Sequence, residues 1–230
     1  MITAVYVLAA VLPAVALMYY VYKHDKIEKE PMDLLLKCAL SGVYAAVLSV
    51  AGESLFEMIM SNFTYSSVTS YAIATAIMVA AVEEFSKLLF LKKRTWNDPN
   101  FNYLFDAVVY SVFVSLGFAA IENVLYVFQY GLSIAIARAL LAIPAHLGFS
   151  VMMGVYYGQA KAAEIYGNKK DYRKYIMAAY FVPVIMHAIY DACALSESGT
   201  AMIIFIVFVV IMDIVVFRTI KKGASVDRSF

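Results

Sequence analysis

The amino-acid sequence predicts an all-α protein: a polytopic bundle of about seven transmembrane helices, with the N-terminus outside and the C-terminus cytoplasmic. Hydrophobic residues make up 63% of the chain and charged residues only 15%, whereas soluble domains are roughly 45–50% apolar and about 25% charged. Apolar runs long enough to cross a bilayer, which takes about 20 residues, follow one another along the chain. The loops between these runs alternate between basic and non-basic, which is typical of a multi-pass membrane protein.

The apolar runs give the predicted helices, numbered first to seventh in chain order. They are Ile2–Tyr22, Leu34–Met60, Ser67–Leu91, Tyr103–Phe128, Leu132–Gly158, Tyr172–Leu195 and Thr200–Phe217. The first run lacks a basic start and a clear small-residue cleavage site, so we expect a retained helix and not a signal peptide. Because the connecting segments are short, we expect residues 1–230 to form a single integral membrane domain, with a motif-bearing core at about 67–195.

The loop charges predict the orientation. Basic loops stay in the cytoplasm, and four basic segments alternate with three loops that contain no Lys or Arg. The basic segments are Lys23–Lys37, Lys92–Arg94, Lys161–Lys174 and Arg218–Arg228. Cys38 and Cys193 then lie near opposite faces, so we expect no disulfide between them. A net charge of +1 implies no strongly charged partner, and no nucleic-acid-reading motif is present, so we expect a lipid bilayer but no nucleic acid as partner.

Ionisable side chains inside the apolar runs are the main functional signal. Each costs several kcal/mol at the bilayer centre, so such groups face the protein interior and commonly mark function. They are, in chain order, Glu53, Glu57, Glu83, Glu84, Lys87, Asp106, Glu122, Arg138, His146, His187, Asp191 and Asp213, with Asn123 beside Glu122.

Residues four apart share a helix face, and this spacing puts the polar groups on faces lined by small residues. The stripes, in the third to sixth predicted helices, are Ala72, Ala76 and Ala80 leading to Glu84; Ala107, Ser111, Ser115 and Ala119 leading to Glu122 and Asn123; Ala142, His146, Ser150, Gly154 and Gly158; and Pro183, His187 and Asp191. Small residues let membrane helices approach closely. We therefore expect these four helices to bring their carboxylates and imidazoles to one cavity. Counted from the loops, however, Glu83 and Glu84 lie in the cytoplasmic half, His146 near the middle and Glu122 in the outer half.

Structural interpretations compete with catalytic ones. Glu83 or Glu84 could form a local ion pair with Lys87 at the inner interface, with the lysine reaching towards water. A membrane histidine is often only a helix contact, but two histidines facing three buried carboxylates favour chemistry. Asp191 is placed to orient His187 from one turn away.

Other ionisable residues have simpler expected roles. Asp106 complements a helix dipole at a helix start, and Arg138 is a structural partner for a carboxylate. Glu53 and Glu57 belong to no motif and are interpreted as a structural or gating pair. Asp213 is expected to be solvated.

Four segments carry a family resemblance. They are, in order, EEFSK (Glu83–Lys87), FDAVVYSVFVSLGFAAIEN (Phe105–Asn123), RALLAIPAHLGFSVMMGVYYG (Arg138–Gly158) and HAIYDA (His187–Ala192). Together they resemble the PrsW family of intramembrane proteases, with its EExxK, FD…GFAxxEN, R…PxH and HxxxD patterns, and more distantly the CAAX-processing membrane proteases. The match covers about half of the chain. Ala107, Ser111 and Ser115 stand where glycines would be expected, which affects the packing more than the chemistry.

The resemblance implies a multi-pass intramembrane protease of the bacterial plasma membrane. Its expected substrate is a membrane-anchored anti-sigma factor, in which it makes the first cut. By motif position, Glu83, Glu84 and His187 carry over as catalytic. His146, Glu122 and Asn123 carry over as further candidate catalytic residues. The supporting positions are Asp191, Lys87 and Arg138.

Two mechanisms fit these residues. In the first, a divalent metal, expected to be Zn²⁺, is held by His146, His187 and Glu84 or Glu122, since two histidines and a glutamate form a known catalytic zinc set. The metal lowers the pKa of its bound water, and a second glutamate is the general base. In the second, a glutamate activates water without a metal, and a histidine or Asn123 stabilises the oxyanion. The family's usual classification as metalloproteases favours the metal.

Other activities are weaker interpretations. No serine lies in a GxSxG setting, and both cysteines lie at the membrane edges. A proton- or ion-coupled transporter would use the same buried carboxylates and histidines, but the sequence shows no inverted repeat of the kind that supports transport.

Overall fold

The structure, a computed structural model, describes residues 2–65, 67–196 and 198–230. In these ranges the regular secondary structure is helical, with one isolated bridge between Tyr103 and Ser229, so the predicted all-α fold is confirmed. The helices are α1 (Ile2–His24), α2 (Met32–Met60), α3 (Val68–Thr95), α4 (Asp106–Tyr130), α5 (Ser133–Leu140), α6 (Ala142–Ile165), α7 (Lys169–Ala194) and α8 (Gly199–Ser225).

Six helical segments in the described ranges are long and apolar enough to cross a membrane, which agrees with the predicted polytopic bundle. α5 and α6 count together as one of these segments, Ser133–Ile165. The seventh long helix, α3, is not among the six. Its 28 residues give it a length of about 42 Å, more than the roughly 30 Å hydrocarbon core of a bilayer. α3 packs against α2, α4 and α7.

The fifth predicted helix, expected as one element over Leu132–Gly158, is two helices. Leu141 separates them, with φ −121° and ψ −59°, outside the α-helical region. Pro144 explains the break. In a continuous helix its ring would clash with the carbonyl of Leu140, whereas in the first turn of α6 its missing N–H leaves no intrahelical bond unmade.

α4 is the central helix, and it contacts α1, α2, α3, α5 and α6. A Cβ atom on Gly117 would lie 2.2 Å from the carbonyl oxygen of Ala39, and one on Gly42 would lie 2.0 Å from that of Val114. α2 and α4 therefore touch through their backbones, which only glycine permits at these positions.

The contact between α4 and α6 uses the predicted small-residue stripes. A Cβ atom on Gly154 would lie 2.6 Å from the Cα atom of Val108. Further along the same contact, the Ser115 hydroxyl donates to the backbone carbonyl of His146 at 3.1 Å. This close packing fixes the start of α6, and with it the His146 side chain, against α4.

Candidate active site

A cavity of about 600 Å³ lies within the bundle, and residues of α2 to α7 line it. Its acidic, basic and histidine lining residues come from six helices, and all belong to the set singled out in the sequence. They are Glu53, Glu57, Glu83, Glu122, Arg138, His146, His187 and Asp191. Glu84 and Lys87 lie directly beneath the cavity wall and are fully buried.

Helix length explains how residues expected at different depths meet. α3 extends beyond its predicted end at Leu91 as far as Thr95, so Glu83 and Glu84 lie near its midpoint. Glu122 lies about one turn past the midpoint of α4. These residues seemed to lie at different depths because the predicted ends of the helices differ from the observed ones.

Lys87 lies at the centre of the site. Its Nζ atom donates to Glu83 Oε2 and to Glu84 Oε1, both at 2.9 Å, and lies 3.1 Å from His146 Nδ1. The two carboxylates precede the lysine by four and three positions, so one face of α3 supplies these three side chains, and α6 supplies His146. The Phe118 ring lies under the ammonium, 4.1 Å from its centroid. The competing interpretation of a local ion pair is confirmed, but its lysine does not reach towards water, because the side chain of Lys87 is 0% exposed.

His187 is held at both ring nitrogens. Nδ1 lies 3.0 Å from Glu84 Oε1, and Nε2 lies 3.3 Å from Asp191 Oδ2. The imidazole stacks on the Phe149 ring at a centroid distance of 4.7 Å. One helical turn separates His187 from Asp191, the geometry expected for an orienting carboxylate.

His146 is also held at both nitrogens. Opposite its Lys87 contact, Nε2 lies 3.0 Å from Glu122 Oε2. The same carboxylate oxygen lies 3.0 Å from Arg138 Nη2. The imidazole centroids of His146 and His187 are 5.6 Å apart, so the two histidines belong to one cluster and both are buried.

Asn123 lies outside the cavity lining. Its side-chain nitrogen donates to the backbone carbonyl of Ala10 at 2.8 Å, and its side-chain oxygen accepts from Arg138 Nε at 2.7 Å. The amide therefore connects α1 to the arginine that faces Glu122. This arrangement supports a positioning role for Asn123 more directly than contact with a substrate.

Some cavity residues were not singled out from the sequence. The Tyr126 ring lies under the Arg138 guanidinium at 3.9 Å, and Phe149 supports His187. Aromatic residues in apolar runs give no distinctive sequence signal. Glu53 and Glu57 were noticed but assigned to no site, and both line the cavity.

The site has the donors for a divalent metal. Ligand atoms of Glu83, Glu84 and His146 all lie within 4.8 Å of one another, and Glu84 Oε2 is buried without a hydrogen-bond partner. With neutral histidines, four carboxylates (Glu83, Glu84, Glu122 and Asp191) against two cations (Lys87 and Arg138) leave a formal charge of −2. Carboxylate and imidazole donors suit zinc.

This group overlaps in part with the predicted ligand set of His146, His187, Glu84 and Glu122. Glu84 and His146 are common to both sets. Lys87 contacts all three members of the observed group, so an ion bound there and the lysine ammonium would compete for the same ligand atoms.

A helical membrane bundle that buries carboxylates and imidazoles around an internal cavity defines a class of protein, the polytopic membrane proteins with a charged site inside the bilayer region. Comparison with known families specifies the class further. A family model described as PrsW family intramembrane metalloprotease matches residues 30–217. The chain belongs to this family, and it is a hydrolase, an intramembrane protease.

Several curated relatives named Protease PrsW are similar over most of their length. The relative from Geobacillus kaustophilus is 35% identical, over 83% of this chain and 80% of its own. The relative from Clostridioides difficile is 33% identical, over 89% and 85% respectively. The relative from Bacillus subtilis is 30% identical, over 95% of both chains. No solved structure gives a significant match.

Proposed function

We propose that this protein hydrolyses a peptide bond of a membrane-anchored protein inside the cavity, with Glu83, Glu84, His146 and His187 as the catalytic group. The observation that carries the proposal is the convergence of these four residues in one buried cluster that includes Lys87, at the wall of a cavity large enough for an extended peptide segment. Family membership favours hydrolysis over transport by the same residues.

Glu83 and Glu84 have different proposed roles because their environments differ. Glu83 lines the cavity, so its carboxylate is placed to take a proton from water, which attacks the scissile carbonyl carbon. Glu84 is 0% exposed and contacts both Lys87 and His187, so it holds these two groups in place. When the C–N bond breaks, the departing amine takes a proton from protonated His187, which faces the cavity, and the proton that Glu83 took from water then restores the imidazolium.

We propose that Glu84 and His146, with His187 adjacent, hold a divalent metal, with Zn²⁺ as the first candidate, while Glu83 remains free as the general base. When bound, such an ion would polarise the scissile carbonyl and lower the pKa of water. Asp191 and Glu122 would fix the two imidazole rings, as carboxylates commonly do behind metal-binding histidines. Arg138, Asn123 and Lys87 would support these groups.

The proposed substrate is a membrane-anchored anti-sigma factor, and the proposed location is the plasma membrane of a bacterium, with the C-terminus cytoplasmic. The substrate rests on the family resemblance. The orientation rests on the basic loops, and the bacterial membrane on the bacterial relatives. We further propose that residues 1–230 act as one domain.

The decisive experiment is cleavage of a single-pass membrane substrate by the purified protein in liposomes, with a different label at each end of the substrate. The expected result is a pair of fragments cut within or beside the transmembrane segment. A chelator should abolish cleavage, and Zn²⁺ should restore it. A Glu83→Gln/Glu84→Gln double variant is the control for contaminating proteases. Cleavage by metal-free protein at the full rate would reject the metal and leave the glutamate-only mechanism.

A further inference from the structure

One face of α2 carries polar side chains that line the cavity and that the proposed mechanism does not use. Ser49, Glu53 and Glu57 follow one another at intervals of four residues, so they lie on the same side of the helix. All three line the cavity. From Ser49 to Glu57 this polar face of α2 extends about 12 Å along the helix axis. It is long enough to contact several residues of an extended peptide, which rises about 3.3 Å per residue.

The polar face of α2 lies at the same level of the bundle as the catalytic group. α2 and α3 touch at Gly52 and Val82, where a Cβ atom on the glycine would lie 2.8 Å from Cγ1 of the valine. Glu53 and Glu83 directly follow these two residues in the sequence, and both line the cavity. Glu53 is therefore level with the proposed general base, and Glu57 lies about one turn nearer the C-terminal end of α2.

Glu53 has no cationic partner. In the ranges that the structure describes, its carboxylate belongs to none of the ion pairs. The charged groups that act on it most strongly are the carboxylates of Glu83 and Glu122, ahead of the ammonium of Lys87. Lys87 already binds Glu83 and Glu84. Because Glu53 is half-buried in a helix apolar enough to cross a membrane, a charge without a partner is costly there.

The hydroxyl of Ser49 points independently to a ligand at this face. Ser41 and Ser54 of the same helix each donate to the backbone carbonyl four residues back, at 2.8 Å. Ser49 makes no such bond: the residue is 1% exposed, and its side-chain oxygen is buried without a hydrogen-bond partner. The side-chain oxygen of Thr75, a cavity residue of α3, is also buried without a partner. Buried polar atoms without partners are uncommon, and a ligand with hydrogen-bonding groups would satisfy both hydroxyls.

We propose that the polar face of α2 determines the substrate specificity of the protein: Glu53 binds a Lys or Arg side chain of the substrate, and the hydroxyls of Ser49 and Thr75 bind its backbone. The inference rests on the proposed hydrolysis in the cavity. A basic side chain supplies the counter-charge that Glu53 lacks, and Glu57, which is exposed, adds a second carboxylate that attracts it. The N–H and C=O groups of an extended peptide supply the partners for the hydroxyls.

The level of Glu53 gives the position of the basic residue relative to the cut. Because Glu53 is level with Glu83, which activates the water, the basic residue lies within about three residues of the scissile bond in an extended substrate. It lies on the side of the loop after α2, since Glu57 extends the face in that direction. A substrate with an acidic residue at this position is rejected, because like charges then meet in the cavity.

The first test measures binding without cleavage, in the Glu83→Gln variant, which is expected to turn over at least about a hundredfold more slowly. The probes are single-pass Leu/Ala peptides in liposomes that differ in one residue, Lys, Leu or Glu, at a position moved along the peptide. At the best position the Lys peptide should bind at least about tenfold more tightly than the Leu peptide, the low end for a close charge pair. Glu53→Gln, added to this background, should remove most of the preference, and Glu53→Lys should transfer it to the Glu peptide.

The matched control is Asp213→Asn, which removes a carboxylate of α8 that is not part of the cavity lining. It should keep the preference for the Lys peptide. Glu53→Gln should accumulate normally and melt no lower than the parent protein, because it removes a charge without a partner, so a lost preference does not reflect misfolding. In the otherwise wild-type enzyme, Glu53→Gln should raise KM for a substrate with the basic residue about tenfold, with little change in kcat.

The outcomes separate this inference from the proposed hydrolysis. Equal binding of the Lys, Leu and Glu peptides at every position overturns the inference, even where the wild-type protein cleaves membrane substrates. A loss of kcat in Glu53→Gln that is the same for every substrate also overturns it, because Glu53 then takes part in the chemical step. If the wild-type protein cleaves no membrane substrate, the proposed hydrolysis fails, while the binding assay still decides whether Glu53 selects a basic residue.

Discussion

The Oε1 atom of Glu84 lies 3.0 Å from the Nδ1 atom of His187, a residue 103 positions further along the chain. The same oxygen accepts from Lys87, while Oε2 of this carboxylate is buried without a partner. Glu84 thus connects α3 to α7 at the centre of the bundle.

Replacing either glutamate of the α3 pair by Gln should reduce cleavage strongly. Glu83→Gln and Glu84→Gln keep the side-chain size but remove the charge and basicity. Each variant should accumulate in the membrane and cleave at least about a hundredfold more slowly, the low end of a general-base contribution. The measurement is the initial cleavage rate in liposomes at matched protein level. Near wild-type rates in both variants would show that the active site lies elsewhere. Failure of both variants to accumulate would show that Glu83 and Glu84 have a structural role.

Lys87→Met should act mainly on stability. The ammonium is fully buried between Glu83 and Glu84, and removing one member of a buried charge group leaves uncompensated charge that costs about 3–5 kcal/mol. We expect a much lower melting temperature and membrane level than for either Gln variant. The triple variant with both glutamates changed to Gln should recover much of the loss, because no charge is then unpaired. Equal stability of Lys87→Met and the wild type would contradict this arrangement.

The glycines at the contact between α2 and α4 should not tolerate a side chain. Gly117→Ala would place a Cβ atom 2.2 Å from a backbone oxygen of α2, so the helices must separate, and overpacking typically costs about 1–3 kcal/mol or more. Gly199→Ala is the matched control, since nothing lies within 4 Å of its Cβ position. Thermal unfolding in detergent should show a clear loss for the first variant and little change for the second.

The sequence predicted which charged side chains come together better than it predicted the helix ends. Charged residues in apolar runs are costly to expose to lipid, so they were expected in the bundle interior. The spacing of small residues indicated which helix faces pack together there. The break at Leu141 was missed because the run is apolar on both sides of it, so hydropathy shows no interruption. Pro144, which disfavours a continuous helix, was the residue that indicated the break. One interpretation placed Lys87 at the interface because the predicted helix ended at Leu91. The sequence alone does not show that α3 continues to Thr95, so that Lys87 lies well inside the helix and is buried.

The buried carboxylates of Asp25, Glu30 and Asp106 show the opposite limit. Asp25 and Glu30 lie in a basic loop, where sequence alone indicates solvated charge. Only the folded chain shows that the α3–α4 loop (residues 96–105) and the C-terminal segment (residues 226–230) cover them. Asp106 was interpreted as a residue that complements the dipole of its helix, and its contact with Glu30 depends on this long-range packing.

The C-terminus should be cytoplasmic. A reporter that is active only in the cytoplasm, fused after Phe230, should be active, because the basic segments would otherwise lie outside. The matched control is a fusion in the loop after α2, which contains no Lys or Arg, and it should be inactive. The reverse pattern would reverse the proposed orientation of the cavity.

Arg138 and its partners should position the residues of the active site without taking part in the chemical step. Arg138 contacts Glu122, which holds His146, and it is itself held by Asn123. Arg138→Gln removes the cation and leaves Glu122 to bind the imidazole alone, so we expect about a tenfold loss in kcat, the low end for outer partners of site histidines, with little change in KM. Arg138→Lys should recover only part of it, since lysine lacks the planar fork that reaches two partners at once.

Asn123→Ala should follow the same pattern more weakly. It leaves the buried carbonyl of Ala10 without its donor, which costs about 1–3 kcal/mol of stability, and it loosens Arg138. Measuring kcat, KM and melting temperature for Asn123→Ala and Arg138→Gln separates positioning from chemistry. Because Asn123 acts on the cavity only through Arg138, the double variant should cleave no more slowly than Arg138→Gln alone. If Asn123→Ala slows cleavage as much as Glu83→Gln while the melting temperature is unchanged, then the amide contacts the substrate directly, and the oxyanion role considered for Asn123 from the sequence is the correct one.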